Sequence, residues 1–315
     1  MDWNTSVLDY HLHLWPHTQR DTPLLLDQVA AYCERAQAAG VVELALTEHL
    51  FRFVQADQLL AGFWEGGDVP EHLRGSMAEY WRFHAGADLD LYVETVLEAK
   101  RQGLPVVLGL EVDYYRGRMD EVASLLAGYP FDVLLGSVHW VGGWRFDDLD
   151  DALSMAEWSA RDVDACWDAY AEAFAELAST RTCDVLAHPD LVKVSARRPE
   201  HPQEWWERLA DAAAQSGMAA EVSSAGWRKP AGEQYPAEGL LARLAARGVP
   251  FTTASDAHHL SHVADRVAEL SELLRATGVD RLTGFRRRQA HTLLLPDPAS
   301  PDPASPDPAS PRRPT

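Results

Sequence analysis

The sequence has no apolar run approaching the roughly eighteen residues of a membrane-spanning helix. Its first residues, Met1-Asp2-Trp3-Asn4, carry neither the basic start nor the apolar stretch of a secretion signal. Cysteine is scarce: Cys33, Cys166 and Cys183 stand far apart, with no Cys-x-x-Cys pair. Their odd number and spacing argue against a disulfide framework and against a thiolate zinc knuckle. Together these absences predict a protein of a reducing compartment, the cytoplasm, without a membrane partner. Positive charge is short as well, with 28 Lys and Arg against 48 Asp and Glu and a net charge of −20. A sequence-independent grip on a nucleic-acid backbone needs clustered cations, so that partner class is not expected. A polyanionic surface also repels anionic ligands at a distance, so a phosphate site here must supply its own metal ions or a few placed cations.

What is present is enough apolar residue, 46% of 315 positions, for one large α/β domain or two small ones. Short apolar runs at 7–9, 43–47, 106–111, 132–137, 184–187, 218–221 and 251–254 alternate with helical patterns at 24–39, 89–102, 161–179, 202–215 and 236–246. That alternation is the sequence form of repeated βα units. Seven such runs predict a distorted (β/α)7 TIM-like barrel within one domain, residues 1–295. Thr22-Pro23 reads as a cap and first-turn proline for the first helix, and Gly40 as its stop. Segment 52–87, with Gly66-Gly67, Pro70 and weak periodicity, is expected to be a long loop or helical excursion of the kind that covers a barrel's substrate. From Pro296 the chain repeats Pro-Asp-Pro-Ala-Ser, a composition that cannot bury a core, so 296–315 is expected to be a disordered tail.

The chemistry-bearing residues keep register with the strand ends. His11 and His13 follow the first strand as His-Leu-His, and alternate residues of an extended segment point the same way. Glu48-His49 ends the second strand and Glu111 the third; His139 follows the fourth, His188 the fifth, and Asp256 and His258 the seventh. In a parallel barrel these ends share one face, so ligands remote in sequence converge. His17 belongs to the same loop as His11 and His13, and Glu48 is placed to orient a neighbouring imidazole. His72, His84, His201, His259, His262 and His291 are read as surface or structural. Imidazole and carboxylate without thiolate suit Zn, Fe or Mn. Nine candidate ligands, His11, His13, His17, His49, Glu111, His139, His188, Asp256 and His258, are too many for one ion and point to a centre of two to three divalent metals.

This ordered set resembles that of the polymerase and histidinol phosphatase (PHP) superfamily, over about residues 7–260. The resemblance implies one metal held by His11, His13, Glu111 and Asp256, a second by the bridging Glu111 with His139 and His188, and a third by His17, His49 and His258. Within the superfamily the chain is similar to the histidinol-phosphate phosphatase branch, on Ser137-Val138-His139-Trp140, Gly143-Trp144, Phe146-Asp147, and the run from Glu221 to Pro230 followed by Glu233 and Tyr235-Pro236. It departs from the family pattern at Leu14-Trp15-Pro16, at Trp227 and in the length of segment 52–87.

This likeness implies hydrolysis of a small phosphate monoester, with the cations activating a bridging water to hydroxide for in-line attack on phosphorus. Glu111, Asp256 and His258 are then the catalytic candidates, with Asp256 or a histidine passing the proton to the leaving alkoxide. Arg228 and Lys229, after the sixth strand, are candidates for the phosphate, and Trp15, Trp140, Trp144 and Trp227 for walls of the leaving-group pocket. A histidinol leaving group calls for an acidic partner for its amine, which the sequence alone does not single out. Homodimer formation is compatible with the sequence. Other readings are a PHP phosphoesterase for another small monoester or a cyclic or nucleotide phosphodiester, and a binding module that has lost catalysis. The complete ligand set argues against the last. An amide-cleaving barrel would carry a bridging lysine near the fourth strand, where this chain has Leu134-Leu135-Gly136-Ser137.

Overall fold

Seven short, fully or almost fully buried segments pair side by side in chain order, all parallel. They are β1 (Val7–Asp9), β2 (Val41–Leu46), β3 (Val106–Asp113), β4 (Val133–Ser137), β5 (Val185–Leu186), β6 (Ala219–Ser223) and β7 (Phe251–Ala254). The computed structural model describes residues 7–16, 24–66 and 69–295. His17, the Thr22-Pro23 helix start and the 296–315 tail lie outside the described residues.

Parallel neighbours need a crossover, and helices supply it: α1 (Leu26–Ala38), α2 (Val54–Leu60), α3 (Glu71–His84), α4 (Leu89–Arg101), α5 (Met119–Leu126), α6 (Ala152–Ala160), α7 (Val163–Thr180), α8 (Gln203–Ser216), α9 (Glu238–Ala246) and α10 (Val267–Ala276). The first and last strands then meet along a seam. Tyr10 N donates to Thr253 O at 3.0 Å, Asp256 N to His11 O at 2.8 Å and His13 N to Ala257 O at 2.8 Å. The result is a nearly closed (β/α)7 barrel, as the alternation of apolar runs predicts. Among the described residues no helix is long and apolar enough to cross a membrane.

The expected strands and helices are found within a few residues; β2 begins two residues earlier, at Val41, and β3 runs two residues beyond Glu111 to Asp113. Segment 52–87 takes its helical alternative. It folds as α2 and α3 with short 3₁₀ turns at Leu50–Arg52 and Phe63–Glu65. α3 buries Leu73, Met77, Trp81 and His84 along one face, a helical spacing that Gly75 and the exposed Phe83 obscure in the sequence.

An antiparallel hairpin, β8 (Arg281–Arg286) and β9 (Gln289–Leu294), was not among the expected elements. It closes the barrel at the N-terminal ends of the strands. Tyr10 Oη, buried, donates to Glu43 and accepts from Phe285 N at 2.9 Å. Glu43 Oε1 is also 3.0 Å from Arg286 Nη2 and 3.1 Å from His291 Nε2. Asp132, before β4, accepts from Arg287 N and from Arg288 N through its side chain and main chain respectively, and pairs with Lys100.

Candidate metal centre

The strands deliver their last side chains to one point above the opposite end of the barrel. Glu111 lies at its middle with both carboxylate oxygens engaged. Oε2 is 3.1 Å from His11 Nε2, 3.4 Å from His13 Nε2 and 2.8 Å from His49 Nδ1. Oε1 is 3.3 Å from His139 Nε2 and 3.2 Å from His188 Nε2. Asp256 Oδ1 faces the same group, 3.6 Å from His13 Nε2 and 3.6 Å from His258 Nδ1. Among the described residues, four triplets bring ligand atoms within 4.8 Å of one another: His13, His49 and His258; His11, His13 and Asp256; His11, Glu111 and His188; and His49, Glu111 and His139. Eight of the nine expected ligands therefore converge, and the ninth, His17, lies outside the described residues.

The backbone at the rim is bent to do this. His188 and Asp256 have positive φ, 27° and 50°, a conformation that costs a non-glycine residue free energy and is commonest at functional sites. The cost at Asp256 is met by the seam and by Asp9. The buried Asp9 carboxylate accepts from Ser255 N at 2.7 Å, Ser255 Oγ at 2.7 Å and Ala264 N at 2.9 Å. Burial raises its pKa to about 6, against those hydrogen bonds.

Two carboxylates that orient imidazoles were not singled out from the sequence. Glu221 Oε2 lies 2.8 Å from His11 Nδ1, and Asp113 Oδ1 lies 2.6 Å from His139 Nδ1. Each fixes one ring nitrogen so that the other faces Glu111. A signal existed for Asp113, which stands two residues past Glu111 on the same face of a strand. Glu48, expected to orient an imidazole, does so only distantly, at 3.6 Å from His13 Nδ1. Its Oε1 instead accepts from Leu14 N at 2.6 Å and Trp15 N at 3.2 Å, while Arg52 donates to the Trp15 and Pro16 carbonyls. The pair clamps the loop that carries the first two histidines, and burial pushes the Glu48 carboxyl up to about 7.

The electrostatics suit cations. Burial disfavours charge on Glu111, but His11, His49 and His139 outweigh it and hold the carboxyl well below its ordinary range. Burial, together with His258 and His49, holds His13 well below its ordinary value, leaving a neutral ring with a lone pair to give. Buried polar nitrogens are almost always satisfied, yet His13 Nε2 has no hydrogen-bond partner among the described residues. A divalent ion is the group that such nitrogens and carboxylate oxygens fit.

A cavity of about 380 Å³ opens over the cluster. Arg228 and Lys229 both line it. Arg228, however, spends its guanidinium on Asp265 and on the carbonyls of Ser255 and Asp256, steadying the Asp256 turn, while Lys229 is exposed. The tryptophans proposed as pocket walls do not line this cavity. Trp15 and Trp144 are buried in packing, Trp140 lines a separate apolar cavity with Phe63 and Trp64, and Trp227 stacks under Arg266. Phe51 and Tyr80 take the wall positions, and His259 and His262, read from sequence as surface or structural, edge the opening.

A parallel barrel with this cluster at its C-terminal rim defines a class, and the family match agrees: residues 11–225 match the PHP domain, and the chain belongs to the PHP family. More particularly, it is 35% identical over 290 residues to a Deinococcus radiodurans protein named "Probable histidinol-phosphatase", covering 90% of this chain and 98% of that one. The fold is also that of the crystal structure of histidinol phosphate phosphatase from Lactococcus lactis subsp. lactis Il1403 in complex with zinc, L-histidinol and phosphate. The TM-score is 0.66 at 17% identity, over 90% of this chain and 98% of that one.

Proposed function

We propose that the chain is a metal-dependent phosphoric monoester hydrolase that converts L-histidinol phosphate and water to L-histidinol and phosphate. The observation that carries this reading is the division of Glu111, one oxygen toward His11 and His13 and the other toward His139 and His188. A carboxylate so placed could be shared between two cations. His11, His13, Glu111 and Asp256 would hold one, and Glu111, His139 and His188 the second. His49 and His258, with His17, would hold a third. The donor set favours Zn, Fe or Mn. The name of the Deinococcus relative and the ligands of the Lactococcus structure support the substrate.

Bound divalent cations supply Lewis acidity and make water a competent nucleophile near neutral pH. The chain's own residues do the rest. Glu221 and Asp113 hold the rings of His11 and His139 in place through Nδ1. Lys229 offers its ammonium at the cavity mouth to the phosphate. Asp256, whose Oδ1 lies 3.6 Å from His258 Nδ1, would take the proton released by the attacking water and pass it to the leaving alkoxide. α3 of segment 52–87 covers the cavity, with Tyr80 in its wall. The three buried, free thiols and the acidic surface fit a cytoplasmic enzyme.

The test is phosphate release from L-histidinol phosphate by protein purified without chelator, beside sugar, nucleotide and cyclic phosphates, with metal content measured on the same sample. Selective release from histidinol phosphate is expected. Faster turnover of another ester would keep the chemistry and replace the substrate.

A further inference from the structure

We infer that Asp147 recognises an ammonium group on the substrate's leaving group, so that the cavity selects phosphate monoesters of amino alcohols. The inference rests on the phosphatase reading and names the contact that gives it selectivity.

Apart from the metal cluster's Glu111 and Asp256, Asp147 is the acid among the described residues that line the cavity. It sits in the loop after β4, eight residues beyond His139, and Tyr80 of α3 lines the same space. Its neighbours are all committed. Arg145 Nη1 lies 2.6 Å from Asp148 and Nη2 3.1 Å from Asp151, and its guanidinium stacks over the Tyr80 ring at 4.3 Å. Asp147 itself makes no hydrogen bond or ion pair among the described residues. The arginine that could have neutralised it is turned away and used to pin α3 against this loop.

A carboxylate without a hydrogen bond or ion pair costs free energy in a half-buried wall, and in this wall it also opposes the binding of an anion. The protein already carries a charge of −20, and a phosphate monoester arrives with further negative charge. For a substrate with a neutral tail, Asp147 would weaken binding. An ammonium on the tail reverses the sign of that interaction, because the cation then bridges the substrate to the wall with a charge-assisted hydrogen bond. Phe51, Leu191 and Val194 of the same lining are apolar and suit a flat or aliphatic body between the two charged ends. Together these groups describe a ligand that is anionic at the metals, apolar in the middle and cationic toward Asp147.

The experiment compares L-histidinol phosphate with its des-amino counterpart, 3-(imidazol-4-yl)propyl phosphate, and O-phosphoethanolamine with ethyl phosphate, on the metal-loaded wild-type enzyme and on Asp147→Asn and Asp147→Glu. Wild type should prefer the amine-bearing member of each pair. Asp147→Asn should collapse that preference by about 100-fold, the scale on which removing one partner of a desolvated charge pair acts. The loss should fall on KM of the amine substrate, and Asp147→Glu should restore part of the preference. An equal fall on both members of a pair would make Asp147 a structural or general catalytic group and overturn the inference. So would a wild type that turns over both members alike, although the phosphatase reading would then stand. If wild type released phosphate from none of these esters, that reading would fail and the inference with it.

Discussion

Both ends of the barrel hold buried carboxylates, Glu43 and Asp132 at one and Glu111, Asp113 and Glu221 at the other, and use them in opposite ways. At the N-terminal ends of the strands each group meets its complement. Tyr10, Arg286 and His291 share Glu43, while Lys100 and two backbone amides share Asp132. Arg288 pairs with Asp184 at 2.6 Å. At the C-terminal ends the cluster has imidazoles and carboxylates but, among the described residues, no lysine or arginine inside it, and the outer carboxylates Glu221 and Asp113 turn the rings of His11 and His139 inward. Polar groups satisfied by one another stabilise a fold. Polar groups aimed at a common point are arranged for something that is not protein.

The contrast can be broken most severely at its centre. Glu111→Gln should lower kcat/KM by on the order of 10²–10³-fold and reduce bound metal, because the shared carboxylate is lost; metal analysis beside phosphate release checks it, and a fully loaded, active variant would sink the proposed site. One shell outward, Glu221→Gln should cost about 10–100-fold in metal affinity or activity by freeing the His11 ring, read by competition with a chelator. At the other end, Glu43→Gln should lower thermal stability by about 1–3 kcal/mol, the cost of partly unsatisfied buried partners, with turnover per folded molecule unchanged. A large activity loss there would mean the two ends are not separable.

A smaller effect concerns pH. His84 lies buried under Phe51 and Tyr80 at the edge of the site, and burial lowers its pKa from 6.5 to about 3. The folded state therefore keeps this ring neutral while the unfolded chain protonates it below pH 6.5. Its stabilising contribution is complete above pH 6.5 and declines as pH falls from there toward 3, with a limiting slope of about 1.4 kcal/mol per pH unit. In His84→Phe the melting temperature should fall less steeply between pH 6.5 and 4 than in wild type. Parallel curves would show that the ring does not drive the acid response.

Much of this was legible in the sequence because barrels impose a simple grammar. A strand must be apolar where it is buried, and the residues just past its C-terminal end face the rim, so His139 and His188 could be placed from position alone. Asp113 and Glu221 were harder because each sits inside a buried strand, where a carboxylate reads as an exception until its imidazole partner is seen across the barrel. The β8–β9 hairpin was missed because its strands are half exposed, its first strand and turn carry Arg281, Arg286, Arg287 and Arg288, and its anchor Glu43 lies about 240 residues away. Asp147 entered the sequence reading only as part of the Phe146-Asp147 likeness, among Asp148, Asp150 and Asp151, and with no role of its own. Only the turn of Arg145 toward its neighbours sets it apart.

The seam between β1 and β7 gives the centre a place in the life of the chain. His11 and His13 leave the ribosome more than two hundred residues before Asp256 and His258. The backbone bonds joining His11 to Asp256 and His13 to Ala257 form only when the barrel shuts. A chain in which the seam has not formed thus presents a few loose histidines rather than a finished cluster, and tight metal uptake would be a sign that the barrel has closed.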